Sequence, residues 1–147
     1  MKKIVLCVDL NQDSIDTLKT LSSKIDLRGA RVHLVHVFEN QLYNADLVPF
    51  MYPLPEQHLA IENSALAILN KLGLDLDLST DNVKSKCFFA FSREQKIKEF
   101  ITEVDASLVV VATRGRHGIA GFFTSSLADF LCKYSPCDVF VLRPTGK

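Results

Sequence analysis

The sequence predicts an α/β protein: a doubly wound, five-stranded parallel sheet with helices on both faces. Three observations carry this. The runs Lys3 to Val8, Leu108 to Val111 and Asp138 to Leu142 are apolar almost throughout rather than at alternate positions, as in strands covered on both faces. Amphipathic helical segments stand between the strand-like runs, giving the order βαβαβαβαβ with four crossovers. The final third, Leu108 to Arg143, reads as strand, glycine-punctuated loop, helix and strand.

Composition bounds the class. The chain of 147 residues has the size of one domain spanning 1–147 and is long enough to bury roughly two-thirds of its unfolded surface. Hydrophobic residues make up 48% and charged ones 23%, and the formal net charge is 0, so no global field draws in nucleic acid or an anionic membrane. Neither is expected as a partner. The opening MKKIVLCVDL holds too few apolar residues for a signal core or a membrane span, and the expected compartment is the cytoplasm. Cys7, Cys87, Cys132 and Cys137 form no CxxC pair and have no histidine at ligand spacing. Cys7 and Cys87 are expected as small buried hydrophobes.

Element by element, KIVLCV is the first strand, and the polar Asp9 to Ser14 turn is rich in N-cap types. Ile15, Leu18, Leu21 and Ile25 mark one face of a helix from Ser14, which Gly29 closes. Arg31 to Phe38 is the second strand. Glu39 to Pro55, with Pro49, Pro53 and Pro55 among Tyr43, Phe50 and Tyr52, is expected to be irregular, and the sequence assigns Asn40 to Pro55 neither to a lid over the crevice nor to a dimer contact. A helix from about Glu56 to Leu72 carries Leu59, Ala65, Leu66, Leu69 and Leu72 on one side and ends at Gly73. The third strand is about Ser85 to Phe91, and Ser92 with Gln95 forms a capping box for a helix bearing Ile97, Phe100, Ile101 and Val104. The last helix runs from near Thr124 to Ser126 on to about Tyr134.

In a doubly wound sheet, ligands bind beyond the carboxyl ends of the strands where the winding reverses. Asp9, Phe38 and the loop after the fourth strand all face that crevice. In the loop, Gly115, Gly118 and Gly121 precede a helix N-terminus, whose free N–H groups and dipole favour an anion.

Taken together, KIVLCVDLNQDS, VHLVHVF with its His36-Val37 pair, and VVVATRGRHGIAGFFTSSLADFLCKYSPCDVFVLRP resemble the universal stress protein family over essentially the whole chain. The resemblance implies a Rossmann-like sheet akin to the adenine nucleotide alpha hydrolases, and a small regulatory protein of the stress response. Members that bind ATP share Gly, two residues, Gly, nine residues, Gly, then Ser or Thr. Here those positions are Ala112, Gly115, Ser125 and Ser126, so two of the three glycines are replaced. The resemblance places adenine near Asp9 and Val37 and phosphates at Gly115, Ser125 and Ser126, with Arg114, Arg116 and His117 adding positive charge. ATP or a related adenine nucleotide, with or without Mg²⁺, is the implied cofactor. The branch that binds no nucleotide tends to carry Asp-Leu after the first strand and Ser-Ser at the third glycine, as Asp9-Leu10 and Ser125-Ser126 do. Both occupancies stay open.

Each of these residues also has a plainer reading. Asp9 serves equally as a turn or cap residue, the glycines as loop geometry, Val37 as core, and the loop cations as solvated groups. His33 and His36 have no Cys or carboxylate cluster beside them, and no metal site is expected. The chain has no G-x-S-x-G, no G-x-x-x-x-G-K-[ST] and no H-E-x-x-H, so an enzyme is not expected. The last strand, Asp138 to Arg143, is apolar at an expected sheet edge; the resemblance implies a homodimer there. Three functions follow: a nucleotide-responsive regulatory protein, a dimeric protein-interaction module with no nucleotide, and, least favoured, a nucleotide hydrolase or transferase.

Overall fold

The structure, a computed structural model, describes residues 1–45, 48–113 and 126–144. In chain order its elements are β1 (Lys3–Cys7), α1 (Gln12–Lys19), β2 (Arg31–Glu39), β3 (Gln41–Ala45), β4 (Val48–Tyr52), α2 (His58–Asp75), β5 (Val83–Ala90), α3 (Arg93–Val104), β6 (Leu108–Ala112), α4 (Ser126–Tyr134) and β7 (Asp138–Leu142). Five strands form one parallel sheet in the order β5-β2-β1-β6-β7. The winding therefore reverses between β1 and β6.

Both faces of the sheet are covered at its centre, which is why β1 and β6 read as unbroken apolar runs. On one face Ile4, Leu6, Leu34 and Val110 pack with Leu18 of α1 and with Leu69 and Leu72 of α2. On the other, Val5, Val35, Val109 and Val111 meet Ile97, Phe100 and Ile101 of α3 and Leu127 and Leu131 of α4. Most of these side chains are fully buried, each worth about 1.5–3 kcal/mol.

The described residues differ from the expectation in four places. Residues 41–45 and 48–52 are not irregular: β3 and β4 pair antiparallel as a separate two-stranded sheet, Gln41 opposite Tyr52 and Tyr43 opposite Phe50. Pro49 is tolerated there because a two-stranded ribbon consists only of edges. The helix after β1 is shorter than its apolar spacing suggests. Thr20 turns its hydroxyl back onto Thr17 O at 2.7 Å, and a 3-10 turn, Leu21–Ser23, takes over. Gly29 follows with φ +74°. Helix α2 begins at His58, after a 3-10 turn at Pro55–Gln57, and runs through Gly73 to Asp75. Its Leu59 is exposed rather than buried. Cys87 is only half-buried, because β5 is a sheet edge with one side open. The capping box at Ser92 is present in its first half: Gln95 N–H donates to Ser92 Oγ at 3.2 Å.

Candidate functional site

The reversal between β1 and β6 sets the carboxyl ends of these strands side by side, Cys7 in register with Val111. Asp9 and Thr113 follow two residues beyond that rung, and α4 starts on the same side of the sheet as α3. Turn chemistry is not what holds Asp9. The cap of α1 is Asn11, whose Oδ1 accepts from Ser14 N–H at 2.9 Å. Asp9 instead faces Arg93, the first residue of α3, with Oδ1 and Nη1 3.4 Å apart and both side chains less than a third exposed.

An arginine at a helix N-terminus opposes the helix dipole, so its presence there signals nearby anions. Three carboxylates supply them. Besides Asp9, Glu94 lies 3.6 Å from the guanidinium, and Glu39 Oε2 accepts the Arg93 backbone N–H at 3.1 Å. The last contact ties the end of β2 to the start of α3.

Behind this pair lie a half-buried histidine and a buried thiol. His36 Nδ1 is 2.6 Å from Val8 O. A carbonyl only accepts, so the proton sits on Nδ1. Burial is the main cause that lowers the His36 pKa, against the hydrogen bond to Val8 and the charge of Asp9, leaving a neutral ring. Burial, then the charge of Asp9, push the Cys7 thiol up to about 12. It is inert as a nucleophile.

Of the positions singled out in the sequence, Asp9 lies in the crevice. Val37 is buried beside β5, opposite Phe88, and has only its backbone to offer a ligand. Ala112 belongs to the core cluster on the α1–α2 face, so its methyl is packed in the interior. Ser126 is placed by its backbone, at the first residue of α4. Arg114, Gly115 and Ser125, and with them Arg116, His117, Gly118 and Gly121, lie outside the described residues.

Two residues the sequence did not single out belong to the crevice. Arg93 is one; the sequence signal was a cation where a helix begins. Thr113 is the other: its N–H donates to Leu142 O at 2.9 Å, while its buried Oγ1 has no partner among the described residues. No group of three or more His, Cys, Asp or Glu residues among the described residues could hold a metal ion, and no helix among them is long and apolar enough to cross a membrane.

A model of the universal stress protein family matches residues 1–143. The chain belongs to this family. A family protein of Staphylococcus saprophyticus is 32% identical over 62 residues, a match spanning 42% of this chain and 37% of that protein's length. One of Staphylococcus aureus (strain USA300) is 20% identical over 145 residues, 97% of this chain and 84% of that protein. Among solved structures, the universal stress protein of Archaeoglobus fulgidus in complex with dAMP superimposes with a TM-score of 0.63 at 17% identity, covering 97% of this chain and 98% of that one. An Arabidopsis thaliana family member with AMP bound gives 0.63 at 14% identity, covering 99% and 94%. At such identities the likeness is one of fold: the parallel sheet with its reversal point is shared.

Proposed function

We propose that this universal stress protein is a small regulatory protein whose crevice at Asp9 takes an adenine nucleotide. One observation carries the reading: a partly exposed carboxylate, Asp9, and a buried hydroxyl, Thr113, stand at the two strand ends that flank the reversal point. The family relatives solved with AMP and dAMP support it. Asp9 and the backbone of Val37 would meet the adenosine; Arg114, Gly115, Ser125 and Ser126, on the segment leading into α4, would meet phosphate, with Mg²⁺ as an optional companion. Ala112 is no obstacle, since its methyl lies in the core. Signalling would follow occupancy rather than turnover, in the cytoplasm. Acid release from protein purified without added nucleotide tests this: adenine nucleotide in the supernatant supports it, and an empty supernatant favours the second reading.

That second reading, an interaction module without nucleotide, is favoured by the Asp9–Arg93 ion pair, which already engages the carboxylate a nucleoside would use. Both readings share a homodimer through the last strand, Asp138 to Arg143. The two sheet edges differ in a way that supports it. Edge β5 carries the exposed Lys84 and Lys86, a guard against strand pairing, whereas β7 has no charge from Val139 to Leu142. Sedimentation equilibrium is expected to give twice the chain mass.

A further inference from the structure

A second concentration of charge lies on the α3 face of the sheet, at the amino ends of the strands and away from the crevice. Lys3 on β1 is in register with Arg31 on β2, and His33 on β2 with Lys84 on β5. Alternation along the strands puts Lys3, Arg31, His33, Lys84 and Lys86 on the face that buries Val5 and Val35. Neighbouring strands lie about 4.8 Å apart and same-face residues about 7 Å apart, so three strands place the Cα atoms of Lys3, Arg31 and Lys84 within about 12 Å of one another.

Beneath these cations His33 is only 6% exposed, set edge-to-face against Phe100 with ring centroids 5.5 Å apart. Its Nδ1 is buried with no hydrogen-bond partner among the described residues, and the same holds for Arg31 Nε. Burial and then the charges of Lys84, Arg31, Lys3 and Lys86 lower its pKa. Each of those four charges is positive. None of those four cations has a carboxylate within ion-pair distance among the described residues.

Guarding an edge strand accounts for Lys84 and Lys86 but not for Lys3 and Arg31, which stand on interior strands. A helix C-terminus supplies only about half an elementary charge, too little for four cations. An extended acidic segment would meet one row of charges at a time, whereas a compact anion draws on all three strands. We propose that this patch is a binding site for a compact oxyanion of the phosphate class, free or as a monoester, held by Lys3, Arg31 and Lys84 above His33.

The test follows the His33 and His36 rings of the full chain by NMR, assigned with His33→Gln and His36→Gln, during titration with inorganic phosphate at constant ionic strength; O-phosphoserine forms a second arm. The expected result is a saturable upward shift of the His33 midpoint of about half a unit, the effect of one anion near 6 Å in water. The shift is lost in Arg31→Gln and in Lys84→Gln. Lys84 is exposed, so Lys84→Gln decides the matter if Arg31→Gln fails to fold. A response to O-phosphoserine as well assigns the site to monoesters; a response to phosphate alone assigns it to the free anion. An equal response to chloride, no response at His33, or a shift confined to His36, which reports on the crevice, overturns the proposal.

Discussion

Arg93 Nη1 and Asp9 Oδ1, 84 residues apart in sequence, lie 3.4 Å apart and join the start of α3 to the end of β1. Exposed ion pairs contribute about 0–1 kcal/mol, and fully buried ones lose about 3–5 kcal/mol when one partner is removed. With both side chains less than a third exposed, this pair belongs between those limits. A double-mutant cycle of Asp9→Asn and Arg93→Gln is expected to give a coupling of about 1 kcal/mol by urea denaturation. A coupling of zero would mean that the contact does not organise the crevice.

Two glycines are expected to respond oppositely to alanine. At Gly73 in α2, an added Cβ would sit 3.4 Å from Leu34 Cδ1 and 3.5 Å from a Val83 methyl, which is ordinary contact. Gly73→Ala therefore gains the helix preference of alanine, about 0.5–1 kcal/mol. At Gly29 nothing lies within 4 Å, but φ is +74°. Gly29→Ala costs about 1–2 kcal/mol through its backbone alone. Thermal melts of the two variants should move in opposite directions.

The cysteines should separate cleanly in a labelling experiment. Cys132 is exposed. Burial holds the Cys7 thiol at about 12 and the Cys87 thiol at about 11. Brief iodoacetamide treatment of the native protein near neutral pH, followed by peptide mass mapping, should modify Cys132 first and Cys7 only after denaturation. Early modification of Cys7 would contradict its place under the crevice.

Stability should fall on mild acidification. Burial lowers the pKa of His36 and of His33 in the folded chain. The unfolded chain then binds more protons below the ordinary histidine value of about 6.5, so the stabilisation from neutral rings is complete above that pH and is lost as pH falls through it. Urea midpoints at pH 7.5 and 5.5 should differ in that sense, and His36→Gln should reduce the difference. A midpoint that rises on acidification would show that the rings are charged in the folded state.

The parallel sheet was legible because β1, β6 and β7 are apolar at consecutive positions, a pattern that burial on both faces imposes. The hairpin was not, because Pro49 and Pro53 read as breakers in any strand that needs neighbours on both sides, and β3 and β4 need only each other. Leu59 shared the spacing of Leu66 and Leu69 yet points to solvent in the first turn of α2, since periodicity cannot tell where a core ends. In the crevice, Asp9 was legible from its place after β1. Arg93 looked like the first residue of a capped helix, because nothing local shows that α3 begins within reach of Asp9; that contact depends on the crossover returning α3 across β2.

Calorimetric titration of the full chain with AMP tests the central claim most directly. A saturable one-to-one isotherm is expected, weakened at least tenfold in Asp9→Ala, a loss of about 1.4 kcal/mol. No heat at millimolar nucleotide, or equal affinity in Asp9→Ala, would contradict it.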